Sequence, residues 1–89
     1  MNTDIEKLRE LLAGQERWPM LYYFKFIVRN HPEKLNKVIE LFADPSAITY
    51  NTSKDINFIG VSCKQWMPDP QSIMAIYEKA SVVDGLIAL

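Results

Sequence analysis

Cys63 and His31 are the only thiol and the only imidazole in the chain, so covalent chemistry would need the two within hydrogen-bond reach. The strand patterns described below set Cys63 opposite Phe24, seven residues short of His31. At ~3.3 Å per residue that is roughly 20 Å. The two side chains cannot meet, and Cys63 points to an apolar side where a thiol serves as inert packing. One His and one Cys, with no CxxC and no HxxxH, offer no metal-ligand set. With glycine only at 14, 60 and 85, neither a phosphate loop nor a dinucleotide fingerprint can be written. The sequence thus offers no catalytic residues, no metal and no cofactor, and reads as non-enzymatic.

What remains is recognition. Tyr23, Lys25 and Arg29 alternate along "MLYYFKFIVR" (20–29), and Phe58, Lys64 and Trp66 alternate along "NFIGVSCKQW" (57–66). Aromatic and basic side chains on one sheet face can stack single-stranded RNA or receive a protein partner. The net charge is −1, the pI is near 5.7, and "DINFIGVSC" lacks the basic-Gly-aromatic core of a nucleic-acid-binding strand. Protein contact is therefore the expectation for this face, and single-stranded RNA a further alternative. A docked N-terminal helix or a second subunit would be the simplest cover for such a face.

The elements that must hold these residues follow from periodicity. Residues 3–13 form a short amphipathic helix, with Thr3 and Glu6 at capping-box spacing. Ile5, Leu8, Leu11 and Leu12 give it one apolar side, and Gly14 stands at its end. In 20–29, Phe24, Phe26 and Val28 face one way, while Tyr23, Lys25, Ile27 and Arg29 face the other. In "VRNHPEKLNKVIELF", Pro32 takes the first helical position and His31 the capping place, with Asp44-Pro45 as the stop. "AITYNTS" (47–53) and 57–66 make a hairpin across "KDI". Asp69-Pro70 opens a helix that buries Ile73, Ile76, Tyr77 and Ala80, and "VDGLIAL" ends as a strand after a turn at Asp84-Gly85.

Segment 1–17 is then a helical appendage to a domain spanning 18–89. Its order of strand, helix, strand, strand, helix, strand is an α+β, ferredoxin-like βαββαβ sandwich. With right-handed crossovers the antiparallel sheet runs 4-1-3-2, with two helices on one face. Strands 1 and 3 are neighbours, and pairing Val28 with Ile59, Phe26 with Val61 and Phe24 with Cys63 keeps every apolar residue on one side. The closing edge Leu86, Ile87, Ala88 and Leu89 carries no Lys or Pro, which suits pairing between two copies. No apolar run approaches a membrane span, the first residues are charged, and the lone Cys fits a reducing compartment, so a cytoplasmic location is expected.

Two resemblances attach to these segments. "RNHPEKLNKVIELF" after a strand resembles the first turn and helix of ACT regulatory domains, which bind amino acids. Glu33 stands where those domains place Gly, and its bulk and charge argue against a bound small molecule, which makes an ACT-like amino-acid-sensing domain the alternative function rather than the expected one. Over residues 18 onward, "WPMLYYFKFIV", the hairpin "NTSKDINFIGVSC" and the short apolar last strand resemble the YbeD-like family of small bacterial proteins. In that family's hairpin Gly often stands at the place of Asp55. The resemblance implies an ACT-like, ferredoxin-like fold and a regulatory or adaptor role with no established ligand.

Overall fold

The alternation in "MLYYFKFIVR" makes Met20–Arg29 a strand, β1, with one side buried at Phe24, Phe26 and Val28. The computed structural model of the chain describes residues 3–15, 17–52 and 54–89, with side chains from Glu6 onward. The elements are α1 (Thr3–Ala13), β1, α2 (Pro32–Ile39), a 3-10 turn (Pro45–Ala47), β2 (Ile48–Thr52), β3 (Phe58–Met67), α3 (Pro70–Ser81) and β4 (Ile87–Ala88). The strands form one antiparallel sheet in the order β2-β3-β1-β4, which is the expected order read from the opposite edge. The chain is thus α+β, with a four-stranded open sheet and three helices, compatible with a small ferredoxin-like fold.

Register follows the apolar pattern. Val28 faces Ile59, Phe26 faces Val61 and Phe24 faces Cys63, and all six are buried. The ladder runs unbroken from Met20–Met67 to Arg29–Phe58, so a slip of two residues would leave pairs unmade at both ends. Val38 of α2 and Ile73, Ile76, Tyr77 and Ala80 of α3 join this side of the sheet in one core. Phe24 and Phe26 lie 5.5 and 6.1 Å from Phe42, and each lies 5.7 Å from Tyr77. Ring separations of that size add edge and offset contacts to simple burial. The Tyr77 hydroxyl meets that of Tyr22 at 2.8 Å, and burial together with this bond pushes its pKa well above the usual phenol value.

Helix α1 packs on α3, with Leu12 buried and Leu8 beside it. Leu11, expected on the buried side, is 67% exposed. A short helix with one helical neighbour buries a narrow stripe, and the i,i+4 pair Leu8 and Leu12 fills it. The capping residue Thr3 and the apolar Ile5 lie outside the described side chains. This packing also accounts for Met74, buried although it stands outside the expected α3 stripe.

The element ends differ in detail. Asp69 caps α3 as expected, its carboxylate accepting the Ser72 N–H at 2.7 Å. Helix α2 stops at Ile39 instead of running to Asp44, because the N–H groups of Leu41 and Phe42 bond three residues back, to Val38 and Ile39. Asp44 instead caps the 3-10 turn, accepting from the N–H and hydroxyl of Ser46, and these bonds hold its pKa below the usual carboxylate value. Strand β2 begins at Ile48 and not at Ala47, and β3 is shifted one residue toward Met67. The last strand is confined to Ile87–Ala88, because Gly85 turns with φ of 74° and the Leu86 N–H folds back to Val83.

The β2–β3 hairpin holds one strained residue. Ile56 has φ of 56°, a conformation that crowds a β-branched side chain. The Asn30 side chain donates to the Ile56 carbonyl at 3.0 Å, and the Asn30 N–H donates to Asn57 at 2.9 Å, tying the turn to the end of β1. The Ile56 side chain is exposed, so little packing offsets the strain. Ile56→Gly is expected to stabilise the protein by roughly 0.5–1 kcal/mol, net of the added chain entropy of glycine. A urea midpoint that falls in the variant would contradict this assignment.

Candidate functional site

Since β1 and β3 place alternate residues on opposite sides, the residues not in the core form a second face. Across it Leu21 faces Trp66, Tyr23 faces Lys64, Lys25 faces Ser62, Ile27 faces Gly60 and Arg29 faces Phe58. Thr49 and Asn51 of β2, opposite Ser62 and Gly60, extend the face on one side. Ile87, opposite Ile27, extends it on the other. The expectation that the N-terminal helix covers part of this face is not met: α1 lies on α3, on the core side. Tyr23 is 51% and Trp66 66% exposed, with Leu21 exposed between them.

All six residues singled out from sequence fall on this face, in two groups. At one end the Lys64 ammonium sits 5.5 Å from the centre of the Tyr23 ring, with Trp66 diagonal to it. At the other end the Arg29 guanidinium lies 5.1 Å from the Phe58 ring centre. Lys25 lies between them. Lys64 and Arg29 thus each rest over the negative face of a ring, a contact of roughly 0.5–1 kcal/mol at exposed sites.

Between the two groups runs a groove of about 710 Å³, lined by Ile27, Gly60, Ile87 and Leu89 among others. Gly60 makes its floor: a Cβ there would meet the Asn51 carbonyl oxygen at 3.4 Å and fill the space above the strand. The roles of Ile87 and Leu89 in this groove were not apparent from sequence, where they stand in a terminal edge. The alternation of a paired β4 is the signal that could have placed them. Leu86 and Ala88 turn inward against the core, so the candidate edge 86–89 splits between two faces. Its ladder has two residue pairs, extended by the Leu89 N–H bonding to Lys25 at 2.9 Å.

The other sequence candidates stay apart. His31 occupies the N-cap position of α2 by backbone, but its exposed side chain makes no capping bond. Cys63 is 2% exposed on the core side, and burial, with the Asp44 carboxylate adding to it, pushes its thiol pKa up. Among the described residues no three His, Cys, Asp or Glu side chains gather as a metal site, and no helix is long and apolar enough to cross a membrane. No family model, curated protein or solved structure matches the chain.

Proposed function

We propose that the protein is a non-enzymatic regulatory or adaptor domain of ferredoxin-like architecture, cytoplasmic and related to the YbeD-like proteins, that works through protein contacts on its open sheet face. The observation that carries this reading is the uncovered groove with Leu21, Tyr23 and Trp66 exposed beside it. Contiguous apolar surface of this kind on a small domain marks an interaction site. Pairing of two copies along Leu86–Leu89 is the lesser route, since a two-residue strand offers little backbone to a neighbour. Glu33, in the first turn of α2, opposes the carboxylate end of an amino acid and weighs against small-molecule sensing.

Photo-crosslinking inside cells tests the reading. The photo-reactive p-benzoylphenylalanine at Trp66 should yield a discrete protein adduct, and the same group at the exposed Val82 beyond α3 should not. Adducts destroyed by nuclease would transfer the face to single-stranded RNA, and no adduct at Trp66 would remove both readings.

A further inference from the structure

We infer that the open face receives an extended acidic segment of a protein partner, whose apolar side chains enter the groove above Gly60. This rests on the protein-contact reading of that face and adds the chemistry of the occupant. The starting observation is a segregation of charge. Among the described residues no Asp or Glu lies on a strand. The strands carry three cations, Lys25, Arg29 and Lys64, and all three project from the open face. A chain with a net charge of −1 thus gathers three cations on one sheet surface, while the described Asp and Glu residues stand on helices and in turns and loops.

Those cations are exposed, and among the described residues none of the three is paired with a carboxylate. Two lean over rings, and Lys25 stands beside the groove. A partner bringing carboxylates would gain charge-assisted hydrogen bonds that the free protein does not make. The groove between them has an aliphatic side, Ile27, Ile87 and Leu89, and a polar side, Thr49, Asn51, Thr52 and Ser62, around a glycine floor. It suits Leu or Phe side chains alternating with acids on an extended chain.

The rival occupants fit less well. A second copy laid face to face would oppose cations with cations, a juxtaposition that costs several kcal/mol in specific interfaces. Nucleic acid shares the negative charge, but consecutive bases need neighbouring ring faces. Tyr23 and Trp66 stand diagonal to each other, but Phe58, the third ring, lies six ladder positions from Tyr23, roughly 20 Å, beyond Lys25, Ser62, Ile27 and Gly60. Cations also lie over the Tyr23 and Phe58 rings.

The test uses the full chain and a synthetic peptide of about eight residues, ~26 Å when extended, with two Leu among Asp and Glu. Controls are the same peptide with Lys in place of the acids, and an oligothymidylate. The acidic peptide should shift the amide resonances of Lys25, Gly60 and Ser62 while leaving those of α3 in place. Binding should weaken steeply between about 0.01 M and 1 M salt, as the Debye length falls from ~30 to ~3 Å. Lys25→Glu and Lys64→Glu should each reduce affinity by about tenfold or more. Both side chains are exposed, so the melting temperatures of the variants should stay near that of the parent, which separates lost binding from lost fold. Absence of shifts at low salt, or equal binding of the basic control, would overturn the inference, as would tighter binding of oligothymidylate. A protein adduct at Trp66 without acidic-peptide binding would leave the protein-contact reading standing and remove the acidic partner alone.

Discussion

Phe24→Ala is expected to cost about 3–5 kcal/mol and to remove a large share of the protein's stability. Phe24 is fully buried in a central strand, with the Tyr22 ring centre 4.7 Å away and Phe42 and Tyr77 at 5.5 and 5.7 Å. Removing the ring leaves a void walled by other rings and by a ladder locked on both sides, so collapse can recover little. A domain of this length has a thin core, with total stability of order 5–15 kcal/mol, so one such loss is a large share of it. Tyr23→Ala, one residue along, is expected to cost less than about 1 kcal/mol, because that ring stands on the exposed face. Urea denaturation of the two variants checks both figures. Midpoints that agree with one another would contradict the division of β1 into two faces.

The second large effect concerns Cys63. Its thiol is 2% exposed and its pKa is raised by burial, so a thiol reagent should reach it only through opening of the core. At a stability near 5 kcal/mol the open fraction is roughly 10⁻⁴, and the labelling rate should be suppressed by that factor relative to the denatured chain. Provided reclosing is faster than labelling, the pH dependence of the rate should follow a thiol near 8.5, the unfolded value, not the raised native one. Labelling in native buffer within tenfold of the denatured rate would place the thiol at the surface and overturn its assignment. The same burial has a thermodynamic side. Above about pH 8.5 the native state keeps protons on Cys63 and Tyr77 that the unfolded chain releases, so stability should fall as pH rises through the alkaline range.

How much of this was legible in the chain depends on what kind of pattern carried it. The β1–β3 register could be read because Phe24, Phe26, Val28, Ile59, Val61 and Cys63 are apolar at strict alternation, and only one parity buries them together. The same parity delivered all six candidate residues of the open face. Element ends were less legible. The early stop of α2 depends on a shift from i−4 to i−3 bonding after Ile39, while the apolar spacing continues to a buried Phe42. His31 had the position of a capping residue, but a side-chain bond is a matter of rotamer that spacing does not encode. The side on which α1 docks, and with it the exposure of Leu11 and the burial of Met74, is a tertiary choice. It left the face open, and the groove with it.

The glycine at position 60 gives that face an evolutionary property. Side chains over the groove stand on the far side of the pleat from Phe24, Phe26 and Val61, so a change among them need not disturb the packed rings beneath. The strand backbone is the common wall between two independent vocabularies, one for holding the protein together and one for addressing a neighbour. A lineage built on this sheet can exchange Tyr23, Lys25 or Lys64 and acquire a new partner without relearning how to fold. A side chain grown at Gly60, where a Cβ would already touch the Asn51 carbonyl oxygen at 3.4 Å, would narrow the groove from below, so the residue without a side chain helps to keep it receptive.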